Sequence, residues 1–169
     1  MKQLLMKQTF ELNRRFTIQD EAGQITYEVT GQVFQMQKNW QLLHKKTEVG
    51  RVTKQTFSML PHVLVEVDGR VIATIQKTGA FIFSDYRIDS RELKIDINWS
   101  TMAFSVMYQG NKIGQGKRRW VRFGKQYELT VFDDAAEVLF LSVVLGLDRA
   151  KADKTVSTLF SDNWTGRKK

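Results

Sequence analysis

Five basic residues fall within nine positions in Lys117-Arg118-Arg119-Trp120-Val121-Arg122-Phe123-Gly124-Lys125, interleaved with aromatic rings. Guanidinium forks match phosphate oxygens in a bidentate geometry, and tryptophan suits the boundary between water and lipid. The candidate anionic-ligand residues are therefore Lys117, Arg118, Arg119, Trp120, Arg122 and Lys125. Read as a strand, the run places Arg118, Trp120 and Arg122 on one face and Lys117, Arg119, Val121 and Phe123 on the other. One face must then bury charge, so the pattern predicts a bulge or an edge position here. The same residues also read as a solvated wall whose methylene stems cover apolar surface.

Other chemistry is sparse. His44 and His62 are the only histidines, and their spacing matches no metal-binding pattern. The chain has no cysteine, which removes disulfides, thiolate nucleophiles and thiolate-held metals. Asp133 and Asp134 precede an apolar run, where helix capping accounts for them. Asp85, Asp89 and Asp96 fall at strand ends or outward positions. Gly114-Gln115-Gly116 lacks the strand–loop–helix setting of a phosphate loop. The expectation is a non-enzymatic protein with no cofactor and no metal.

With 169 residues, 42% of them hydrophobic, the chain is sized for one globular domain. The net charge of +8 favours anionic partners: an anionic lipid surface, an acidic protein or nucleic acid. It equally serves solubility alone. Nucleic acid ranks behind lipid, because no named nucleic-acid motif is present and the cations are spread along the chain. A protein-interaction scaffold anchored by Trp40, Trp99, Trp120 or Trp164 is the third class. No apolar stretch follows Lys2 as in a signal peptide, so the expected compartment is the cytoplasm, with a peripheral place at the membrane.

The elements that must position these residues read as short strands. Arg15–Gln19, Ile25–Val29, Val33–Met36, Trp40–His44 and Val49–Thr56 carry β-branched or aromatic residues near every second position. His62–Val67 and Arg70–Ile75 flank Asp68-Gly69, a pair suited to a type I′ turn. Phe104–Tyr108 and Lys112–Gly114 flank a Gln109-Gly110-Asn111 turn. Ala80–Phe83, Tyr86–Ile88, Leu93–Ile97 and Gln126–Phe132 complete the set. About a dozen strands in one small domain predict a meander that closes into a barrel or sandwich. The stretches Val65–Lys77 and Val106–Lys117 echo each other as an internal repeat.

The segment from Asp134 to about Leu147 is apolar on every side, so it must be enclosed on every side. Its run from Val138 to Leu147 is far shorter than the roughly 20 residues of a bilayer span, so protein is the expected enclosure. Asp134 is the expected cap, with Glu137 bonding back as in a capping box. A domain over residues 1–150, with its helix at about 134–148, is followed by a tail over 151–169, partly docked or frayed.

Three motifs in this order resemble the LURP-one-related family, which shares the Tubby C-terminal fold and is related to the phospholipid scramblases. They are Phe16–Gly31 as the opening strand pair, Leu60–Lys77 as the middle hairpin ending in I-x-K, and Tyr127–Asp148 as the last strand, core helix and closing aspartate. The resemblance spans about Gln8 to Asp148. It implies a mainly β fold, a closed antiparallel barrel of about 12 strands threaded by the hydrophobic C-terminal helix. Relatives of this fold bind phosphoinositides, which implies phospholipid headgroups as a ligand class. The phosphoinositide-site residues of the Tubby proteins do not map by motif onto Lys117–Lys125.

Overall fold

The computed structural model describes residues 1–31, 38–55, 62–78 and 85–165, with side chains at all of these but 38, 85 and 152–165. The expected strands Val33–Met36 and Ala80–Phe83 lie outside the described residues. Twelve strands are present among the described residues: β1(Lys2–Gln8), β2(Arg14–Gln19), β3(Ile25–Gly31), β4(Lys38–His44), β5(Thr47–Gln55), β6(His62–Val67), β7(Arg70–Thr78), β8(Asp85–Asp89), β9(Leu93–Asn98), β10(Ala103–Tyr108), β11(Asn111–Val121) and β12(Gly124–Val131). They pair antiparallel in one sheet, ordered β8-β7-β6-β5-β4-β3-β2-β1-β12-β11-β10-β9. Because β1 pairs with β12, the sheet curls into a nearly closed barrel; among the described residues no ladder joins β8 to β9, and that is its seam. At that seam the rings of Tyr86 and Trp99 stack, with centroids 4.0 Å apart.

β1 is an element that the strand periodicities did not predict. Leu4 and Met6 point inward and are buried, while Leu5 and Lys7 stay partly exposed. Without this strand, β2 and β12 would each present an edge, so the first residues of the chain are what join the two halves of the wall.

A helix, α1(Glu137–Thr165), fills the barrel. Phe140, Leu141, Val143, Val144, Leu145 and Leu147 are buried in one cluster with inward residues of the strands. The helix packs chiefly on β5, β6 and β7, and also on β11. Ser142 would leave a polar group in this interior, but its Oγ donates to the Val138 carbonyl at 2.8 Å and so spends itself within the helix. The expected cap is corrected by one residue. Asp133 accepts from the Ala135 N–H at 3.0 Å and opens a 3-10 turn, Asp134–Ala136, ahead of α1. Glu137 closes no capping box. It is buried and pairs with Lys2 of β1, tying the helix start to the wall. At the other end the backbone stays helical to Thr165, well beyond the expected stop near residue 148.

Three hairpins repeat one geometry, which sharpens the internal repeat. Their turns are Lys45-Lys46, Asp68-Gly69 and Gln109-Gly110, each with positive φ at both residues, as type I′ requires. In each, the register slips two residues before the turn, at Leu42/Leu43, Val65/Glu66 and Val106/Met107. The partner strand carries the extra residue (Val49, Ile72, Ile113), and each is followed by a small one (Gly50, Ala73, Gly114). Those small residues let the helix approach closely. A Cβ on Gly114 would sit 2.5 Å from the Phe140 ring. The lysine pair was no turn signal in the sequence, because lysine has no preference for positive φ.

Candidate functional site

The basic run forms the end of β11, a tight turn and the start of β12. Arg122 and Phe123 make the turn, and Gly124 closes it at φ +99. Of the expected bulge or edge position, the edge is found. The ladder with β12 is continuous from Gly114 to Val121, so no bulge interrupts it. Pairing with β10 ends at Ala103 opposite Lys117, so the strand runs on past that neighbour with one side unladdered. Charge is further accommodated by sorting the cations between faces.

Lys117 and Arg119 lie on the outer face and share one carboxylate, Glu128 of β12, at 3.3 and 2.9 Å. Arg118 lies on the inner face opposite the buried Tyr127, and its guanidinium stacks over the Trp120 ring at 4.8 Å. Lys125 also faces inward, and its Nζ meets Asp148 Oδ1 at 2.7 Å. Arg122 sits at the hairpin tip over the Phe123 ring, 5.5 Å from its centroid. The six candidate residues are thus neighbours along one hairpin but do not form a single patch. Trp120, Arg118 and Arg122 share the tip, Lys117 and Arg119 are tied up on the wall, and Lys125 is half of a buried pair.

Strand register adds cations that the sequence run did not contain. Lys54 and Lys77 hold the positions of their hairpins that Arg118 holds in its own, counted from the turn. Both lie on the inner face, following Gly50 and Val52, and Ala73 and Ile75. All these positions are at the end of the barrel where α1 emerges. Arg149 of the helix stacks over Trp40 there, 4.7 Å from the ring, and Trp40 in turn meets Phe16 edge-on. A recess of about 290 Å³ opens beside them, lined by Phe10, Arg15, Phe16, Trp40 and Lys125 among others. Arg15 Nε is buried without a hydrogen-bond partner. The repeat of the three hairpins is the signal that would have found Lys54 and Lys77.

The electrostatics of this mouth centre on Asp148, which is fully buried. Its Oδ1 accepts from the Tyr127 hydroxyl and from Lys125, each at 2.7 Å. Burial pushes the Tyr127 phenol well above the usual tyrosine range, the Asp148 carboxylate adds to this, and the Arg118 guanidinium opposes it. At the opposite end, burial and the neighbouring Glu137 raise Tyr27 likewise, and Glu137 holds the Lys2 ammonium above its ordinary value.

Apolar side chains crowd the same mouth from outside. Phe10 and Leu12 of the β1–β2 loop are 73% and 75% exposed, and Trp120 and Phe123 of the β11–β12 hairpin 67% and 71%. The two loops touch. The Lys125 N–H donates to Gln8 Oε1 at 3.2 Å, and the space above Gly124 is bounded by Phe10 Cζ.

His44 and the other tryptophans have structural surroundings. His44 Nδ1 lies 3.0 Å from the Thr26 carbonyl oxygen, with its ring against Tyr27. Trp40 is in the core, and Trp99 stacks at the seam. The side chain of Trp164 is outside the described residues. Gly114-Gln115-Gly116 is plain strand within β11. No helix among the described residues is long and apolar enough to cross a membrane.

Comparison with known proteins agrees with this architecture. No curated protein sequence matches the chain. An X-ray structure of a protein from Arabidopsis thaliana matches with a TM-score of 0.50 and 18% identity, covering 86% of this chain and 90% of the other. At that identity the likeness bears on the fold, and it supports the barrel with its threaded helix. The model of the LURP-one-related family matches residues 2–148, which takes in β1 through β12 and α1 as far as the aspartate paired with Lys125. On that match the chain belongs to the LURP-one-related family.

Proposed function

We propose that this protein is a non-enzymatic binding module for anionic phospholipid headgroups, phosphoinositides among them, at the cytoplasmic face of a membrane. One observation carries the reading: cations from separate hairpins and loops converge on a single end of the barrel. Arg15, Lys54, Lys77, Arg118 and Arg122 belong to different parts of the chain, yet the register brings them to the mouth where α1 emerges. Each cation held near an anionic membrane surface contributes about 1 kcal/mol, and the sum falls as salt screens it. Binding at this end therefore needs no one deep pocket.

The test is co-sedimentation with vesicles of neutral or anionic lipid at two salt concentrations. Pelleting should require anionic lipid and weaken with salt. Replacing Arg118, Arg119 and Arg122 together by Ala should weaken it further, with most of the loss from Arg118 and Arg122, because Glu128 already engages Arg119. Equal pelleting with neutral vesicles, or none with either, would refute the lipid reading. Retention on a nucleic-acid column without any lipid binding would replace it.

A further inference from the structure

We infer that Phe10, Leu12, Trp120 and Phe123 form a two-loop wedge that enters the lipid interface, docking the barrel end-on. The inference rests on the anionic-membrane reading and adds a mode of contact to it. All four side chains are more than half exposed. Large apolar side chains exposed together are unfavourable in water, and their clustering marks a surface made to be covered.

Both loops are tied at their bases by hydrogen bonds, which lowers the ordering cost of contact. The β1–β2 loop is closed by the Thr9 N–H donating to the Arg15 carbonyl at 2.9 Å and the Thr9 hydroxyl donating to the Arg14 carbonyl at 2.7 Å. Its far end is fixed by the Gly31 N–H donating to the Asn13 carbonyl at 3.1 Å. The second loop is a two-residue turn on a continuous ladder. Gln8 and Gly124 bring the two tips side by side.

The surrounding charge identifies the surface they enter. Arg118 lies over Trp120 and Arg122 over Phe123, so each of these rings carries a cation on its face. A bilayer with anionic headgroups offers phosphates at the level of the guanidinium groups and hydrocarbon just below, where aromatic and aliphatic tips partition. An apolar protein groove would strand those charges. The membrane normal then runs close to the barrel axis, with the mouth recess and Arg15 at headgroup level.

The experiment uses the full chain, vesicles of phosphatidylcholine with phosphatidylserine, and the same vesicles carrying brominated acyl chains. The expected results are quenching of Trp120 fluorescence by the brominated lipid, absent in Trp120→Phe, and vesicle binding that partly survives high salt. The Phe10→Ser/Leu12→Ser double variant should lose about tenfold or more in partitioning, as should Phe123→Ser on the other loop. All these positions are exposed, so the melting temperatures should match the parent's. Salt-labile binding with no quenching, and variants that bind like the parent, would overturn the wedge while leaving the surface reading intact. No binding to anionic vesicles would overturn both. A parent chain that sediments as a dimer and becomes a monomer on tip substitution would assign the wedge to a second copy instead.

Discussion

Lys125 Nζ lies 2.7 Å from Asp148 Oδ1, joining the second residue of β12 to a buried aspartate of the helix. The Tyr127 hydroxyl, two residues along the same strand, donates to the same oxygen. These three groups lock the helix axially against one strand of the wall. Asp148→Ala would leave Lys125 and the Tyr127 hydroxyl without their acceptor. We expect a loss of about 3–5 kcal/mol, as for other buried pairs deprived of one partner. Asp148→Asn keeps an acceptor for the hydroxyl and should cost less. Urea denaturation of both variants measures the order, and an Asn variant as unstable as Ala would show that the hydroxyl bond contributes little.

The same hydroxyl sets an alkaline limit. The folded protein holds Tyr127 protonated above the ordinary phenol value of about 10, whereas the unfolded chain ionises there. The stabilisation is fully present below about pH 10 and is lost as the pH climbs towards the folded value. The loss approaches about 1.4 kcal/mol per pH unit for each such group. Tyr27 adds a second contribution of the same sign. Tyr127→Phe should flatten the decline in urea midpoint between about pH 10 and about pH 11, and an unchanged slope would refute the assignment.

Close approach of helix and wall makes glycine substitution costly, on the helix at Gly146 and on the wall at Gly114. Ala normally improves a helix interior over Gly by about 1 kcal/mol. At Gly146, however, the added methyl would press into Val65 Cγ2, so we expect net destabilisation of about 1–3 kcal/mol. Gly146→Leu should be worse. Gly114→Ala meets the Phe140 ring from the other side and should cost a similar amount. Thermal unfolding decides, and a stabilised Gly146→Ala would mean that Val65 yields freely.

Leu141→Asp or Val144→Asp would place a carboxylate among apolar neighbours inside the barrel, since both positions are fully buried. We expect a loss of about 3–5 kcal/mol or failure to fold. Circular dichroism melting provides the check, and an unchanged transition would contradict enclosure of the helix.

Glu128 holds Lys117 and Arg119 on the outer wall. Glu128→Gln should release both cations at little cost to stability, within about 1 kcal/mol for half-exposed pairs. On the lipid reading it should strengthen binding to anionic vesicles at low salt. Weaker binding would show that Glu128 positions the two cations productively.

The barrel was legible because alternation and turn chemistry agree over most strands, and because the run from Val138 to Leu147 offers no polar face. Asp68-Gly69 announced its turn. Lys45-Lys46 did not, since the strain of two lysines at positive φ is carried by the hairpin ladder rather than by residue preference. β1 escaped notice because Leu5 interrupts its alternation and the lysines at both ends resemble loop. Asp133 and Asp134 are chemically equivalent caps, and only the backbone path selects the first. The candidate site was half legible. The composition of Lys117–Lys125 pointed to its chemistry, but strand alternation alone does not say which face turns to the helix. Asp148, which receives Lys125, is remote in sequence. Phe10 and Leu12 lie on a loop that shows no pattern until β1 is placed beside β12.

The arrangement of wall and filling also sets an order of events. Residues 2–131 supply the twelve described strands, and the helix that occupies their interior begins only at Glu137. During synthesis the inner faces of β1–β12 must therefore wait, wet and unfilled, for a segment that the ribosome has not yet made. A curled sheet in that condition is exposed to aggregation until its plug arrives. The seam between β8 and β9, fastened by stacked rings instead of a hydrogen-bonded ladder, leaves the sheet one join that can close last.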